Sequence, residues 1–303
     1  MKCPEVSIII LNFNGKEDTL ECLESLKKLN YTNYKIILVD NGSTDGSVEI
    51  LKNTYPAMEI IENGENLGFS EGNNVGIRKS IENKTDYLLL LNNDTVVDPN
   101  FLGELVNVAE RDPTIGIVGP VVFHYNDVDK IQSAGSRVSL TTGECHLING
   151  NETFIKDYNN PYEVDYIVGC ALLAKSKLFG EIGYLNKDYF AYWEETDWCF
   201  RAYKKGYKVI CVPASKIWHK GGATSEKTSG FAEFHLGRNM FWFMKTHATR
   251  KQYMLFLLYF FGYRLWTYTF VKINRKNIPG LKSYLNGVKK GVLTSSKAHT
   301  FDT

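Results

Sequence analysis

Three carboxylates stand within four positions of one another, Glu194, Glu195 and Asp197, between the large aromatic residues Trp193 and Trp198. Acidic residues are stabilised in the first turn of a helix by the helix dipole, so capping alone could account for this cluster. Crowding of like charges and partial burial would also raise the pKa of at least one of the carboxyl groups. A carboxylate with a raised pKa can take a proton from a hydroxyl group near neutral pH. The three residues are therefore candidates for activating a hydroxyl group.

A fourth carboxylate, Asp94, follows an apolar run at residues 87–91 and two asparagines, Asn92 and Asn93. Carboxylate oxygens are ligands that magnesium and manganese ions prefer, and His219 is a candidate second ligand. An Asx turn at the end of a strand accounts for the same three residues equally well. A single histidine is also more often structural than metal-binding. A divalent metal site is therefore one of two interpretations of this loop.

Alternating apolar strands and amphipathic helices would position these residues. Strands are predicted at residues 6–11, 35–39, 58–62 and 87–91, each followed by a polar loop. Helices are predicted at about 20–29, 47–53, 70–83 with Ser70 as N-cap, and 99–111 with Asp98 as N-cap. Such alternation indicates an α/β fold with a mostly parallel central sheet, whose ligands bind at the carboxyl ends of the strands.

The loops exclude two common phosphate-binding folds. The first strand ends in NFNG rather than G-x-G-x-x-G, and no G-x-x-x-x-G-K-[ST] sequence occurs. Strand ends that present Asn, Asp and Ser suit hydrogen bonds to a base and a ribose, with a metal ion neutralising the phosphates. The net charge of +1 gives no electrostatic argument for nucleic-acid binding, and the six cysteines form no C-x-x-C pair.

The second half of the chain is less regular. Residues 115–123 and 208–212 are predicted strands, a helix is predicted from the carboxylate cluster to Lys205, and residues 217–222 are predicted to form a loop. Residues 126–166 show no pattern that places an element. The tail from Ser295 to Thr303 is predicted to be disordered.

The segment 253–271 is long enough to reach across a bilayer, and Arg264 is its single charged residue. Nine aromatic residues and the central arginine favour a helix that lies in the membrane interface, with basic residues on either side of it. The alternatives are a helix packed on its own domain or on a second copy of the chain. Peripheral membrane contact through about 251–273 and a homodimer therefore both stay open.

Six blocks of the sequence, in order, resemble the family 2 inverting glycosyltransferases, particularly their rhamnosyltransferase-like branch. The blocks are VSIIILNFNG, VDNGSTDGS, NLGFSEGNNVGI, LLLNNDTVVDPNFL, GCALLAKSKLFGEIGYLN and YWEETDWCFRAYKKGYKVICVPASKIWHKGG. The resemblance covers about residues 6–222 and implies the GT-A fold. It implies a nucleotide-binding half at 1–98 and an acceptor half at 99–225. The aromatic-rich residues 226–294 that follow are predicted to form a helical extension.

The resemblance also implies roles for individual residues. Asp94 stands in the D-x-D metal motif, whose first acidic position is Asn92 here, so His219 becomes more necessary as a second ligand. Glu195 stands at the position of the catalytic base, with Glu194 and Asp197 as its acidic neighbours. The nucleotide sugar is expected to contact Asn12, Asn14, Asp40, Asn41, Ser43, Asn66, Gly68, Phe69, Asn73, Asn74, Asn92, Asn93, Gly169 and Cys170.

The family implies transfer of a sugar from a UDP- or dTDP-sugar to a hydroxyl group of a glycan acceptor, with magnesium or manganese and with inversion at the anomeric carbon. The aromatic C-terminal segment suggests a lipid-linked acceptor and a cytoplasmic position at the inner face of the cell membrane. A sugar-nucleotide nucleotidyltransferase is an alternative, but it would need a glycine-rich loop with arginine after the first strand. A non-catalytic glycan-binding protein on the same fold is the other alternative.

Overall fold

The computed structural model describes residues 3–152, 160–221 and 230–296 of the chain. Their strands are β1 Val6–Asn12, β2 Tyr34–Asp40, β3 Glu59–Glu62, β4 Tyr87–Asn92, β5 Thr95–Val97, β6 Ile115–His124, β7 Asp127–Ser133, β8 Ser136–Val138, β9 Cys145–Leu147, β10 Tyr162–Glu163, β11 Ala171–Lys175 and β12 Lys208–His219. Their helices are α1 Lys16–Leu26, α2 Ser47–Thr54, α3 Gly68–Glu82, α4 Phe101–Ala109, α5 Lys177–Ile182, α6 Glu194–Lys204, α7 Phe231–His247, α8 Arg250–Tyr259, α9 Leu265–Asn274 and α10 Ile278–Leu293.

The first half of the sheet is parallel, in the order β4-β1-β2-β3. Strand β4 lies in the interior, and its residues 87–91 are buried. An apolar run of this kind suits a strand that is covered on both faces. The parallel register puts Asn12 beside Asp40, and Leu11 beside Asn92, so the polar ends of three strands meet at one edge.

The sheet continues without a break into the second half of the chain. Strand β11 runs antiparallel between β4 and β6, and β12 lies parallel to β6. Strands β5, β7 and β10 pair antiparallel at the margins. Two buried apolar clusters cover the two faces of this sheet. The predicted α/β architecture, with a central sheet flanked by helices and a helical C-terminal region, is confirmed.

Three predicted boundaries near the site are wrong. Helix α3 begins at Gly68, so Ser70 lies inside it and is not its N-cap. Helix α4 begins at Phe101, because Asp98 accepts a hydrogen bond from the backbone N–H of Asn100 in a turn before the helix. Strand β12 does not end at Val212: it continues to His219, which was predicted to lie in a loop. Its pairing with β6 shifts between Val212 and Lys216. The break in the pattern at Pro213 therefore marks a bulge, where a proline is tolerated, and not the end of a strand.

The segment 126–166, which the sequence left without elements, contains β7 and the β8–β9 hairpin, and β10 at its end. Residues 153–159 of this segment, and the greater part of the predicted disordered tail, 297–303, lie outside the described residues. The predicted C-terminal helical region consists of α7 to α10, and a π-helical turn at Phe260–Arg264 joins α8 to α9. Within the described residues, no helix is both long enough and apolar enough to cross a membrane.

Candidate active site

The ends of β1 and β2 are joined by a buried network around Asn12 and Asp40. The Asn12 amide donates to Asp40 Oδ1 at 2.9 Å and contacts Ser43 Oγ at 3.1 Å and Ser47 Oγ at 2.9 Å. Asp40 Oδ2 accepts hydrogen bonds from the backbone N–H groups of Gly42 and Ser43. An ionised carboxylate offers about four acceptor directions, so one direction at Asp40 remains for a donor such as a pyrimidine N–H.

Asn14 and Ser43 connect the loop after β1 to the loop after β2. The backbone N–H of Asn14 donates to Ser43 Oγ at 2.9 Å, and Asn14 Oδ1 accepts from the backbone of Thr44 at 2.7 Å. Asn14 has a φ of 51°, a left-handed conformation that asparagine adopts more readily than most residues. The two loops therefore form one preorganised polar surface at the edge of the sheet.

The loop before α3 is held by Asn41. The amide of this buried residue donates to Asn66 Oδ1 at 2.9 Å and to the carbonyl of Gly68 at 3.2 Å. Its oxygen accepts from the backbone of Leu67 at 3.1 Å. Asn41 and Asn66 thus shape the loop with their own side chains, and their expected contact with a nucleotide sugar stays a prediction.

Gly68 and Phe69 bring this loop against a distant segment. A Cβ atom on Gly68, which has a φ of +79°, would lie 2.6 Å from the ring of Phe190. The backbone N–H of Phe69 donates to the carbonyl of Phe190 at 2.6 Å. Further along α3, Asn73 donates to the carbonyl of Phe69, and Asn74 exchanges hydrogen bonds with the backbone of Leu185. The structure thus gives both asparagines a part in fixing the loop.

Asp94 and His219 come together although 125 positions separate them. Residues of β5 pair with the end of β12, with His219 opposite Thr95. His219 Nε2 lies 3.1 Å from Asp94 Oδ1 and 3.5 Å from the amide nitrogen of Asn92. Burial favours the neutral form of Asp94, but the hydrogen bond and charge of His219 outweigh it and lower the pKa of this carboxyl group. Asn93 turns away from the pair and donates to Thr19 Oγ1 at 2.9 Å.

Gln132 on β7 fixes the orientation of the His219 ring. Its Oε1 atom lies 2.7 Å from His219 Nδ1. Because an amide oxygen only accepts, Nδ1 carries a hydrogen, so Nε2 donates to Asp94 when the ring is an imidazolium and presents a lone pair towards Asp94 when the ring is neutral. A lone pair that faces a carboxylate oxygen at this distance is an arrangement that a divalent cation would satisfy.

Asp94 and His219 could therefore both bind a metal ion, but two ligands are few for such a site. Among the described residues, no third His, Cys, Asp or Glu joins Asp94 and His219. Oxygen atoms from a bound diphosphate and from water would have to complete the coordination of a magnesium or manganese ion.

Glu195 lies beside Gly169. If Gly169 carried a Cβ atom, that atom would lie 3.7 Å from the carboxyl carbon of Glu195 and 3.4 Å from the ring of Phe69. Burial raises the pKa of the Cys170 thiol, and the charges of Asp94 and Glu195 raise it further, so Cys170 lies within range of both carboxylates. The structure thus brings Glu195 and Phe69 together at Gly169, with Cys170 within electrostatic range of Glu195 and Asp94, and the roles of base and metal ligand stay predictions.

Glu194 and Glu195 behave as a pair. Each has one buried oxygen, Oε2, without a hydrogen-bond partner among the described residues. Burial raises the pKa of Glu195, while backbone N–H groups and the carboxyl group of Glu194 oppose that rise. Burial and then the charge of Glu195 raise the pKa of Glu194 well above its ordinary value. The pKa of both carboxyl groups is thus raised, and burial and the neighbouring charge favour the protonated form of Glu194 more strongly than that of Glu195.

Asp197 occupies a buried ion cluster one turn further along α6. Arg201 Nε donates to Asp197 Oδ2 at 2.9 Å, and His247 Nε2 lies 2.7 Å from Asp197 Oδ1. Burial raises the pKa of Asp197, but the positive charge of Arg201 and the hydrogen bond from His247 reverse this and leave it below the ordinary value. Both oxygens of Asp197 are engaged, so its geometry supports a role in positioning α6 through α7.

The turn that leads into α6 is backbone-strained. Phe190, Tyr192 and Trp193 have φ values of 66°, 66° and 78°, in the left-handed region that large side chains disfavour. The buried Asn239 on α7 contacts three carbonyl groups of this turn through its amide nitrogen: Tyr189 at 3.0 Å, Ala191 at 2.8 Å and Tyr192 at 2.7 Å.

Arg238 reinforces the same contact from α7. It donates to the carbonyl groups of Asp188 and Tyr189 at 2.9 and 2.8 Å, and to Asn239 Oδ1 at 2.8 Å. Helix α7 therefore holds the segment that carries Glu194 and Glu195.

Sequence reasoning missed Gln132, Arg238 and Asn239. Gln132 lies in the segment without a pattern, and nothing in its surroundings indicated a histidine partner. Arg238 and Asn239 carried a usable signal, because an arginine and an asparagine precede the apolar run at 240–244. Polar residues that a helix buries need hydrogen-bond partners elsewhere in the fold.

Comparison with known proteins gives the chain a family. Residues 7–182 match the model of the family described as glycosyl transferase family 2. An N-acetylglucosaminyl-diphospho-decaprenol L-rhamnosyltransferase of Mycobacterium tuberculosis is 28% identical over 202 residues, which are 61% of this chain and 66% of that protein. A dTDP-rhamnosyl transferase of Shigella flexneri is 22% identical over 227 residues, covering 73% of this chain and 71% of that one. The match thus spans somewhat under two thirds of the mycobacterial protein.

Solved structures agree on the fold. The mannosyltransferase of Pyrobaculum calidifontis, in complex with GDP-Man and Mn2+, has a TM-score of 0.60 at 15% identity, covering 98% of this chain and 77% of that one. GalNAc-T7 with UDP, GalNAc and Mn2+ has a TM-score of 0.59 at 18% identity, covering 72% of this chain and 44% of that one. These similarities show the GT-A type of fold. The family model matches more than half of the residues of this chain, and the chain therefore belongs to glycosyl transferase family 2.

Proposed function

We propose that the protein is a metal-dependent inverting glycosyltransferase, which transfers a sugar from a UDP- or dTDP-sugar to a hydroxyl group of a glycan acceptor. One observation carries this proposal. One carboxylate oxygen of Glu195, beside Gly169, has no hydrogen-bond partner among the described residues, and the charges of both Glu195 and Asp94 act on the neighbouring Cys170. A base and a metal-binding pair that both lie near Gly169 and Cys170 suit an acceptor and a donor that meet there.

Asp94 and His219 would hold the metal ion, and the loops around Asp40, Asn14 and Ser43 would hold the nucleotide. A bound magnesium or manganese ion supplies positive charge that stabilises a departing nucleoside diphosphate. The fixed Nδ1 hydrogen of His219 leaves its Nε2 lone pair as the ligand. The remaining acceptor direction of Asp40 is where the N–H group of uracil or thymine would bind.

Glu195 would act as the general base. The acceptor hydroxyl gives its proton to Glu195 while its oxygen forms a bond to the anomeric carbon of the donor sugar. The bond from that carbon to the diphosphate oxygen breaks, and its electron pair leaves with the nucleoside diphosphate. Attack from the face opposite the leaving group inverts the anomeric configuration. The protonated form of Glu194 is favoured more strongly, so Glu194 competes less for the proton of the acceptor.

The acceptor we propose is a lipid-linked glycan, and the setting is cell-surface polysaccharide synthesis at the cytoplasmic face of the membrane. The mycobacterial relative is named for a diphospho-decaprenol acceptor, and the Shigella relative for a dTDP-rhamnosyl donor. These names favour a rhamnosyltransferase-like reaction. We propose residues 1–225 as the catalytic domain and 226–294 as an extension that takes part in the site through Asn239 and His247.

The two alternative functions lack a comparable supporting observation. A nucleotidyltransferase would need an arginine-containing glycine-rich loop after β1, whereas this loop reads NFNG. A non-catalytic glycan-binding protein would have no need for a buried carboxylate with one oxygen that lacks a hydrogen bond among the described residues. Such a group is costly for the fold and is typical of sites that do chemistry.

A panel of nucleotide sugars tests the proposal through protection against thermal unfolding. We expect a UDP- or dTDP-sugar to raise the melting temperature when manganese is present, because a ligand that binds only the folded state stabilises it. The same ligand should give little protection to Asp94→Ala. Equal protection of both proteins, or none by any nucleotide sugar, would contradict the proposed donor site.

A further inference from the structure

The helix formed by α8, the π turn and α9 has two unlike faces. Its inner face packs on α7 and α10: Phe256 and Phe260 are fully buried against Phe241, and Tyr268 stacks on Tyr284 with ring centroids 3.9 Å apart. These aromatic contacts fix the orientation of the helix about its own axis. Residues of this helix that do not face α7 or α10 therefore lie on its outer side.

Arg264, the single charged residue of the segment 253–271, belongs to the inner side. Its guanidinium group donates to Glu144 Oε1 at 2.9 Å, and the Tyr259 hydroxyl donates to the same oxygen at 2.7 Å. Glu144 lies in the turn between β8 and β9, so the ion pair joins the helix to the body of the protein. Arg264 is therefore directed away from the outer side of the helix.

The outer face, which we define as Met254, Leu258, Phe261, Trp266, Phe270 and Ile273, is apolar and exposed. The spacing of three to five residues places these side chains along one side of the helix. Leu258, Trp266 and Phe270 are 69%, 67% and 65% exposed. Single exposed apolar residues are ordinary, but a continuous row of large ones on a charge-free face indicates a binding surface.

The helical region that carries this face has a strongly positive net charge. Residues 230–296 contain eleven Lys and Arg residues and a single Glu, whereas the whole chain has 35 Lys and Arg and 34 Asp and Glu. Glu233 is itself paired with Lys272 at 2.8 Å. Exposed basic residues stand at both ends of the helix and on α10: Arg250, Lys251, Arg275, Lys276 and Lys282.

We propose that the outer face docks on the surface of an anionic lipid bilayer, with the helix lying in the plane of the membrane. The complementary charge selects this occupant, since apolar side chains would enter the acyl boundary while the basic residues at both ends contact acidic headgroups. Exposed Trp266 and Tyr263 suit the interface, where an aromatic ring with a polar end is favoured. The described residues contain no helix suited to spanning the bilayer, which agrees with attachment from one side.

This docking deepens the proposed function, because a lipid-linked acceptor is found at such a surface, but its test needs no sugar transfer. Flotation of the full chain is measured with vesicles of phosphatidylcholine alone and with vesicles that contain about one third phosphatidylglycerol. We expect flotation with the anionic vesicles, weakening as salt rises, because screening reduces the attraction of the basic residues. Failure to float with either vesicle would overturn the docking proposal and leave the proposed transferase activity untouched.

Substitutions on the outer face distinguish docking on lipid from contact with a second copy of the chain. Leu258→Ser, Trp266→Ser and Phe270→Ser together should lower vesicle affinity about a thousandfold, since each buried side chain of this size is worth about tenfold or more. Tyr203→Ser is the matched control, because Tyr203 is 65% exposed on α6, and it should float like the unchanged chain. Undiminished flotation of the triple variant would refute the assignment of the face. So would a chain that sediments as a dimer and becomes monomeric with the same three substitutions.

Discussion

Replacing Asn239 by alanine tests whether α7 controls the geometry of the candidate base. The side chain of Asn239 is fully buried, and its amide nitrogen contacts three carbonyl groups of the turn before α6. The amide carries only two hydrogens, so the contacts share them. Alanine removes the donors and leaves the three carbonyl groups, those of Tyr189, Ala191 and Tyr192, with fewer partners in the interior. The strained residues of the turn then lose the contacts that oppose their relaxation.

The expected loss of stability follows from these contacts. Each intramolecular hydrogen bond contributes about 1 kcal/mol net, and leaving a buried carbonyl group unsatisfied costs about 1–3 kcal/mol. Two shared donors give a loss of about 2–4 kcal/mol in the free energy of unfolding. Each left-handed residue such as Tyr192 stores roughly 1–2 kcal/mol, and relaxation of the turn would return part of that energy. Relaxation would also move Glu195, so kcat should fall more than the KM for the donor rises.

Denaturant unfolding and steady-state kinetics of Asn239→Ala measure the two effects. Leu281→Ala on α10 is the matched control. Leu281 is a buried side chain of the same helical region, and none of the contacts described above joins it to the turn before α6. It should lose about 2–5 kcal/mol as large-to-small core substitutions do, yet keep its kcat. Equal losses of kcat in both variants, or an unchanged kcat in Asn239→Ala, would refute the idea that α7 positions the base.

Three further predictions concern the site. Glu194→Leu should move the acidic limb of the kcat–pH profile to higher pH, because the hydrogen bond from Glu194 that lowers the pKa of Glu195 is lost. Glu194→Gln keeps a hydrogen-bond donor at this position and should leave the acidic limb in place. Gln132→Leu should weaken Mn2+ binding about 10- to 100-fold in calorimetry with UDP present, since the His219 ring loses the partner that orients it. Burial lowers the pKa of His247 from its ordinary 6.5, so the unfolded chain binds the proton first and stability should fall as the pH drops below about 6.5. Chemical denaturation at several pH values measures that slope, which His247→Gln should reduce but not abolish, because burial also lowers the pKa of His235, to about 4; an unchanged slope would contradict the assignment.

The parallel half of the fold was predictable from sequence, because its information is local. An apolar run such as residues 87–91, followed at once by Asn92, Asn93 and Asp94, specifies both a buried strand and the edge where its polar end emerges. Register between parallel neighbours then brings Asn12 and Asp40 together without further information. The residues expected at this edge are located there for that reason.

The remaining features depend on contacts between distant segments. The bulge after Val212 cannot be read from the residues of β12 alone, since it exists only in the pairing with β6. Gln132 contacts His219 across 87 positions, and Asn239 contacts the turn before α6 across about 50. The spacing of apolar residues in the sequence does not predict contacts of this kind. The inward direction of Arg264 is likewise fixed by Glu144 in another part of the chain.

The assignment of Glu195 as the base is the central claim, and Glu195→Gln tests it most directly. Glutamine keeps the size of the side chain but cannot take a proton from the acceptor. With the donor identified by thermal protection, transfer to the acceptor should fall about 10²- to 10⁴-fold while the affinity for the donor and Mn2+ stays the same. Full transfer activity in Glu195→Gln would contradict the assignment.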